Sequence, residues 1–372
     1  MAVSRINEAG LNVNQYGNRN LIINGAMQVW QRATSAVAAA NGYNTVDRWK
    51  HFKSGAGAFT TERSTDHPTG TGYSLKCQVT TADTSIAATD YAFTETNLEG
   101  QNLQQLQYGT STAKDVTVSF WVKSNKTGIY CLSLYKAAGS GTAYMYRKEY
   151  TIDAANTWEK KVVTISPTAG STALITASAG AIPNSNAMGL QIVFGFTWGS
   201  NFHGTDDTWQ TGSGYGTSNQ VNWLDSTSNN FYLTEVQLEV GDTATDFEHR
   251  TFADELQRCQ RYYYIMDSST TNGNYLRYCN AFFKSATAAE GVIHLPVEMR
   301  ATPTLTKTGT IGMYDGSNLL NISTFVLGND GSNNKIVVID ANNIASGGVQ
   351  YRPGVILSSN NQTSKVELSA EL

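Results

Sequence analysis

The sequence predicts an all-β protein with two domains, and three observations support this. Strand-like segments, each short, follow one another along most of the 372 residues. Gly, Asn, Asp, Pro or Ser separates most of these segments, which favours a β-sandwich or barrel over βαβ units. One well-marked helical pattern lies between two strand-rich regions, and the chain is long enough for two domains of ordinary size.

The first strand-rich region contains ten strand candidates. They lie at residues 21–29, 49–52, 73–79, 91–95, 116–123, 130–135, 144–152, 158–165, 190–198 and 230–240. Asn24-Gly25 is predicted as a turn or bulge inside the first of them. Residues 96–106 carry a leucine spacing that predicts one or two turns of helix. The order of the strands in the sheets does not follow from these patterns.

The last strand of this region alternates with a period of two, which predicts one buried face. One face would carry Tyr232, Thr234, Val236, Leu238 and Val240, and the other Leu233, Glu235, Gln237 and Glu239. Gly241-Asp242 then ends the strand.

The helical pattern follows directly. Thr251 is the predicted N-cap, with Asp254 three residues later in a capping-box position. An apolar stripe with helical spacing predicts about three turns and consists of Phe252, Leu256, Cys259 and Tyr263. We interpret the helix as the link to a second domain.

The second region contains eight further strand candidates, which predict a C-terminal β-sandwich. They lie at residues 262–266, 276–283, 291–297, 305–311, 325–327, 335–339, 355–357 and 365–368. Gly347-Gly348 and Pro353-Gly354 are turn signals within this region.

Composition excludes several classes of function. With 30 acidic and 26 basic residues the net charge is −4, so no basic surface for nucleic acid is expected. No apolar run is long enough to span a bilayer, so no membrane insertion is expected, and residues 1–20 lack the apolar core of a secretory signal. The four cysteines lack metal-binding or disulfide-framework spacing and are predicted as free thiols, in keeping with a reducing cytoplasm.

The longest stretch without periodicity, residues 199–223, has the side chains that bind sugars. Aromatic rings stack on pyranose faces while polar groups bind the hydroxyls. The candidates for ligand binding are Trp209, Tyr215, Trp223, Asp206, Asp207, His203 and Gln210. The alternative, that these aromatic residues pack in a core, is favoured because buried aromatics outnumber binding platforms.

Three further groups of residues are given mainly structural interpretations. The cluster of Trp30, Arg32, Asp47, Arg48 and Trp49 is interpreted as architecture. No cofactor is expected, although Asp206, Asp207 and Asp225 are candidates for a structural Ca²⁺ site without a DxDxDG loop. His249 and Arg250, together with Phe252 and Leu256, are assigned to the domain junction, with His249-Arg250 satisfying backbone groups or contacting another subunit.

Motifs of catalysis are absent from the sequence. It contains no GxSxG, HExxH or P-loop pattern. Glu235 and Glu239 are a candidate carboxylate pair for glycoside hydrolysis. The predicted strand places both on one face, and not on either side of a substrate bond. We therefore expect a protein that is not an enzyme.

Three segments carry a resemblance to a known family. Residues 236–264 (VQLEVGDTATDFEHRTFADELQRCQRYYY), residues 20–32 (NLIINGAMQVWQR) with Tyr43 and Asp47-Arg48-Trp49, and residues 295–305 with 366–372 resemble bacteriophage tail-fibre and virion structural proteins. In that family a jelly roll like a carbohydrate-binding module precedes a small C-terminal β domain. The resemblance implies an N-terminal arm (1–19), a jelly roll (20–248), a linking helix (249–262) and a C-terminal β-sandwich (263–372).

The resemblance also implies a function. The implied function is that of a tail-fibre or fibre-tip protein that recognises host surface polysaccharide. The resemblance also implies a homotrimer that is made in the host cytoplasm and located in the virion tail, where its partners are other tail proteins. Such fibres usually open with a longer anchoring domain and a shaft, whereas about twenty residues precede the predicted jelly roll here and no heptad pattern is present. The expectation is therefore either a distal piece carried by another fibre protein or a protein that is not a fibre. A capsid or tail decoration protein that binds only virion partners is the first alternative, and an enzyme that trims surface polysaccharide is the second. Exposed aromatic residues on outward loops would favour adhesion, a loop buried against a neighbour would favour decoration, and product release from glycan would favour the enzyme.

Overall fold

The computed structural model describes residues 18–138, 142–212, 214–270, 274–328 and 330–372. The predicted all-β class is confirmed, since twenty strands and one α-helix occur in these ranges, with short 3-10 helices between them. The chain forms two compact units that divide between Glu255 and Leu256, with Leu372 joined to the first. The predicted N-terminal arm lies outside the described residues apart from Asn18 and Arg19.

The first unit is a β-sandwich of two antiparallel sheets. The six-stranded sheet has the order β1-β3-β4-β11-β6-β9 and the five-stranded sheet the order β2-β5-β10-β7-β8. The strands are β1 (Val37–Ala38), β2 (Trp49–Ser54), β3 (Ala58–Ser64), β4 (Ser74–Thr81), β5 (Tyr91–Glu99), β6 (Val116–Ser124), β7 (Gly128–Lys136), β8 (Tyr144–Ile152), β9 (Glu159–Ile165), β10 (Met188–Trp198) and β11 (Asn230–Val240). Aromatic and branched side chains from both sheets form one core between them.

Nine of the ten predicted strands of this region occur close to their expected positions, but residues 21–29 form turns instead of a strand. The buried Asn24 side chain causes this change. It accepts hydrogen bonds from the backbone of Gln28 and Val29 (2.8 and 3.0 Å) and donates to the carbonyls of Val29 and Asp47 (2.9 and 3.0 Å). A side chain that satisfies the local backbone in this way replaces a strand partner.

The residue after Asn24 must be glycine because the backbone of β11 lies against it. A Cβ at Gly25 would lie 2.1 Å from the Val236 carbonyl oxygen, and the Val236 amide donates to the Gly25 carbonyl at 3.0 Å. The predicted turn at Asn24-Gly25 is therefore where the first residues of the unit contact β11.

The strict alternation predicted for β11 is wrong beyond Thr234. Its pairing with β6 shifts register between Thr234 and Gln237, and Glu235 has a positive φ of 48°. This β-bulge turns the strand over, so that Leu233 before it and Val236 after it both face the core. The extra residue explains why a simple period of two fails here.

The predicted helix is α1 (Phe252–Gln260), and its N-cap is as expected. The Asp254 amide donates to the Thr251 hydroxyl at 3.3 Å, and that hydroxyl lies 2.8 Å from the Asp254 carboxylate. The predicted apolar stripe is wrong at both ends. Phe252 is 57% exposed, and Tyr263 belongs to the next strand. The helix predicted at 96–106 is also shorter, because β5 continues to Glu99 before a 3-10 helix over Gly100–Leu106.

The second unit contains strands β12 to β20. They are β12 (Tyr263–Asp267), β13 (Arg277–Ser285), β14 (Ala288–His294), β15 (Thr304–Thr308), β16 (Ile311–Tyr314), β17 (Leu319–Leu327), β18 (Ile336–Ile344), β19 (Pro353–Ser358) and β20 (Lys365–Ser369). Six of them close into a barrel in the order β13-β14-β18-β17-β16-β19, and β12, β20 and β15 form a separate sheet.

The C-terminal domain was expected to be a sandwich, and the closed barrel corrects this detail within the all-β class. Short strands that pair in a ring leave no open edge. The barrel surrounds one small core to which most of its strands contribute. Strand pairing of this kind depends on contacts distant in sequence, so the local pattern could not distinguish the two arrangements.

Replacing Asn24 by Ala should lower the free energy of unfolding of the first unit by about 2–3 kcal/mol, because buried backbone groups of the turn lose their partners. Urea denaturation measures this change. Asn201→Ala, at an exposed position, is the control and should change stability little. Equal stability of the Asn24 variant and the parent would contradict the role given to this side chain.

Candidate functional site

The outer face of the five-stranded sheet carries the most distinctive group of side chains in the first unit. Along β5, Ala92 and Leu98 belong to the core, and the alternating residues Tyr91, Phe93 and Glu95 therefore lie on the opposite face. We define the aromatic face by the rings gathered there, which are Phe52, Tyr91, Phe93, Trp198, Phe202 and Tyr215.

Strand pairing brings these rings together. Phe93 lies opposite Phe52 on β2 and opposite Gly195 on β10. The Phe52 and Phe93 rings stack at 5.1 Å between centroids. Cross-strand neighbours on one sheet face are close enough for such contacts.

Three of the rings share one orientation. The Phe93 and Trp198 centroids are 5.0 Å apart with planes at 24°, and those of Trp198 and Tyr215 are 5.1 Å apart at 17°. Phe93 and Tyr215 are nearly parallel at 13° and 6.2 Å. Trp198 is only 6% exposed, whereas Phe93 and Tyr215 are half-buried. Trp198 therefore supports a surface that the other two rings present to solvent.

Two glycines make room for the Trp198 indole. A Cβ at Gly195 would lie 2.1 Å from its Nε1 atom, and a Cβ at Gly216 would lie 2.3 Å from its Cδ1 atom. No side chain larger than hydrogen fits at either position without moving the ring. The indole is thus held between the sheet and the loop that follows β10.

That loop, described over residues 199–212 and 214–222, is held over the outer side of β7 and β8. The Ser133 hydroxyl donates to the Tyr215 carbonyl, Arg147 donates to the Thr205 carbonyl at 3.2 Å, and the backbones of Met145 and Gln210 form a β-bridge. The outer sides of β2, β5 and β10 carry the other rings of the aromatic face, and the loop itself contributes Phe202 and Tyr215.

Polar groups border the rings on the same face. Glu95 lies opposite Lys50 on β2 and opposite Val193 on β10, and Asn97 lies opposite Gln191. Burial raises the pKa of Glu95 to about 7. The charge of Lys50 and hydrogen bonds from Gln191 and Asn97 lower the pKa but do not outweigh burial. Glu95 and Asn97 are buried, at 3% and 4% exposure. Lys50 and Gln191 are therefore the half-buried polar residues beside the partly exposed aromatic rings.

Trp209 and Trp223, two of the predicted ligand-binding residues, are fully buried. Trp209 packs against Tyr108 and Tyr146 and donates to the Ser166 carbonyl at 2.9 Å. Trp223 packs against aromatic core residues and donates to the Asn230 carbonyl at 3.1 Å. Their prediction as stacking platforms is therefore corrected, since neither ring has a free face, and the packing alternative describes them.

The polar residues predicted with them mainly hold the loop. Asp206 accepts from the Glu149 amide at 2.8 Å, and Asp207 accepts from the Tyr146 hydroxyl at 2.6 Å. Lys148 forms ion pairs with both carboxylates (3.3 and 3.2 Å).

His203 and Gln210 also have structural partners. His203 Nε2 lies 3.1 Å from the Trp198 carbonyl, and Gln210 lies at the β-bridge to Met145. Of the seven predicted residues, Tyr215 joins the aromatic face.

The predicted calcium ligands are engaged differently. Asp225 is paired with Lys126 at 2.5 Å, and Asp206 and Asp207 share Lys148. Over the described ranges, no group of three or more His, Cys, Asp or Glu side chains is arranged to hold a metal ion.

The junction residues have separate environments. Arg250 donates to the carbonyls of Asn20 and Ile22 and lies 3.6 Å from the Glu255 carboxylate. It therefore satisfies backbone groups at the start of the described chain. Phe252 is exposed and Leu256 is half-buried.

His249 lines a pocket of about 470 Å³ together with His67 and Glu235. His67 Nε2 lies 3.5 Å from the Glu235 carboxylate, and Thr69 holds the other ring nitrogen at 2.9 Å. Burial is the main cause that lowers the pKa of His67. The bulge that gives Glu235 its positive φ turns its side chain into this pocket. Glu239, the other carboxylate of the pair considered above, instead accepts from Thr245 at 2.8 and 2.7 Å.

Most residues of the aromatic face were not predicted from the sequence, because the sugar-binding candidates were taken from a loop and the rings lie mainly on strands. The signal was present in β5, where Tyr91, Phe93, Glu95 and Asn97 alternate with residues of the buried side. Two adjacent aromatic positions followed by two polar ones on a single face are unusual for a solvated sheet surface.

Comparison with known proteins gives no close relative. No family model matches the chain. No curated protein matches it either. Among solved structures, it is similar to the enzymatically active domain of tailspike protein 4 of bacteriophage CBA120, at 12% identity and a TM-score of 0.32, over 60% of this chain and 21% of that one.

Two similar structures are carbohydrate-binding modules. The family 11 module of the cellulase Lic26A-Cel5E of Clostridium thermocellum is 12% identical, with a TM-score of 0.29, over 59% of this chain and 99% of that one. The CBM22-1 xylan-binding domain of Paenibacillus barcinonensis Xyn10C is 10% identical, with a TM-score of 0.28, over 57% and 99%. Within the described chain, no helix is both long and apolar enough to cross a membrane.

The raised pKa of Glu95 predicts a pH-dependent stability. Between pH 4.5 and about 7 the folded chain holds more protons on this carboxyl than the unfolded chain does, so stability falls as pH rises through that window. Glu95→Gln should remove this dependence and stabilise the first unit by about 2–3 kcal/mol at pH 8, with little effect at pH 4.

Urea denaturation of both proteins at pH 4, 6 and 8 measures the effect. Glu298→Gln, at an exposed glutamate, is the matched control and should leave the pH profile unchanged. If the parent and Glu95→Gln profiles run parallel, the carboxyl is not perturbed as described.

Proposed function

We propose that the first unit binds saccharides on the aromatic face without transforming them. One observation supports this most directly: half-buried rings from β2, β5 and the 199–222 loop lie beside the half-buried Gln191 and Lys50 on one sheet surface. Apolar sugar faces stack on such rings, and polar side chains at the border bind the hydroxyls.

The arrangement favours an extended chain over a single small sugar. Phe52, Phe93 and Tyr215 are spread across the sheet, with successive centroids 5.1 and 6.2 Å apart. Several sugar units of one polysaccharide would therefore contact the protein together.

We further propose that the protein acts in a bacteriophage particle, as a tail-fibre or fibre-tip protein that recognises host surface polysaccharide. Support comes from the resemblance of residues 20–32, 236–264 and 295–305 to that family. A homotrimer located in the virion tail, assembled with other tail proteins after synthesis in the host cytoplasm, would present three copies of the face. Multivalency then multiplies a modest affinity.

The proposed lack of enzymatic activity rests on the carboxylates. A glycosidase uses two carboxyl groups on either side of one glycosidic bond. Of the described residues that we place at the aromatic face, one, Glu95, carries a carboxyl group. Glu235 and Glu239 lie on β11, which belongs to the other sheet. Release of reducing sugar from host polysaccharide by the purified protein would contradict this part of the proposal.

Removing one ring should weaken binding without unfolding the protein. Tyr215→Ala and Phe52→Ala should each reduce affinity for host polysaccharide about tenfold, equivalent to ~1.4 kcal/mol, because a stacking surface is lost. Calorimetry or a surface-bound polysaccharide assay measures the affinity, and circular dichroism checks the fold.

Tyr351→Ala is the matched control, because Tyr351 is a highly exposed tyrosine of the second unit. Its affinity should equal that of the parent. If the parent binds no host polysaccharide at multivalent concentration, saccharide recognition is wrong, and a decoration protein that binds only virion partners becomes the better account.

A further inference from the structure

The barrel of the second unit carries a separate pocket of about 390 Å³. Its lining consists of Tyr275, Arg277, Tyr314, Leu319 and Leu357. Tyr275 is 53% exposed and Tyr314 is 38% exposed. Exposed aromatic side chains gathered around one concave site are typical of a ligand-binding groove.

Strand pairing explains why these residues meet. Arg277 lies opposite Leu357 in the β13–β19 pair, and Tyr314 lies opposite Leu319 in the β16–β17 pair. Gly312 on β16 lies opposite Leu357 on β19 and leaves room for Leu319. A Cβ at Gly312 would lie 2.8 Å from the Leu319 Cδ1 atom. The inward neighbours on these strands, among them Met313 and Ile356, belong to the barrel core. The pocket therefore lies on the outer surface of the barrel.

Arg277 differs from other arginines of this unit. Arg352 is paired with Asp315 at 3.0 Å, and Arg300 donates to the carbonyls of Ala370 and Glu371. Arg277 is exposed, and its guanidinium forms no ion pair or hydrogen bond with the rest of the described chain. A planar group with five donors is thus available to an anion at the wall of an apolar pocket.

We propose that this pocket binds a saccharide unit that carries a carboxylate, such as a uronic acid. The guanidinium of Arg277 pairs with the carboxylate in the bidentate geometry that arginine favours. The apolar face of the sugar ring lies against Tyr275 or Tyr314, with the two leucines completing the apolar lining.

The composition of the pocket favours this ligand over two simpler ones. Inorganic phosphate would satisfy Arg277 but leave the tyrosine rings and leucines in water. A neutral sugar would use the rings but would leave the cation without a counter-charge. A ring with a carboxylate uses both features. This inference is independent of the function proposed for the first unit, because the residues belong to the second unit alone.

The test compares one oligosaccharide in two charge states. The full chain is titrated with an oligogalacturonate and with the same oligomer as its methyl ester, which keeps the rings and removes the charge. We expect the acid to bind at least about tenfold more tightly than the ester. Arg277→Gln should abolish this difference, and Tyr275→Ala should weaken binding of both oligomers.

Two controls separate this site from general charge effects and from the aromatic face. Lys335→Gln removes the same charge from an exposed position of the second unit and should keep the preference for the acid. Tyr215→Ala should keep it as well, so failure of either proposal is recognised separately. The inference is overturned if the acid does not bind, if phosphate competes as well as the oligogalacturonate does, or if Lys335→Gln and Arg277→Gln have equal effects.

Discussion

The contact of the Trp198 indole with Gly195 and Gly216 is the constraint on which the site of the first unit depends. The indole occupies the space that a side chain at either glycine would fill, and Phe93 and Tyr215 stack against it. The ring thereby joins the sheet to the loop that follows β10. Fixing a long loop costs conformational entropy. Burial of Trp198 and the hydrogen bonds from Arg147 to the Thr205 carbonyl and from Ser133 to the Tyr215 carbonyl offset that loss.

A second constraint is the bulge at Glu235. It lets β11 contribute core residues on both sides of the break and brings Val236 against Gly25. The same change of direction points Glu235 at His67. Backbone strain of this kind persists where neighbouring contacts determine it, and here Asn20 supplies one of them by donating to the Val236 carbonyl at 3.0 Å.

The sequence predicted most of the strands and little of their assembly. Alternation and turn residues are local, so the strands that contain Phe93 and Trp198 were placed within a few residues, whereas β1, β3 and β16 were not predicted. The turns at Asn24, the bulge at Glu235 and closure of the barrel depend on partners far along the chain, which periodicity does not reveal. The same reason explains the site. Trp209 and Trp223 are buried by distant residues such as Tyr108 and Phe59, and Phe52 and Phe93 meet only because β2 pairs with β5.

The most direct test of saccharide recognition by the aromatic face is hydrogen–deuterium exchange with and without host polysaccharide. Our account predicts slower exchange in peptides that cover β2, β5 and residues 199–222, because the ligand covers these backbones on the outer face of the sheet. Peptides from the outer strands β1 and β9 of the six-stranded sheet should be unchanged. Bound polysaccharide with slower exchange confined to the six-stranded sheet, or to the pocket of His67, Glu235 and His249, would contradict it.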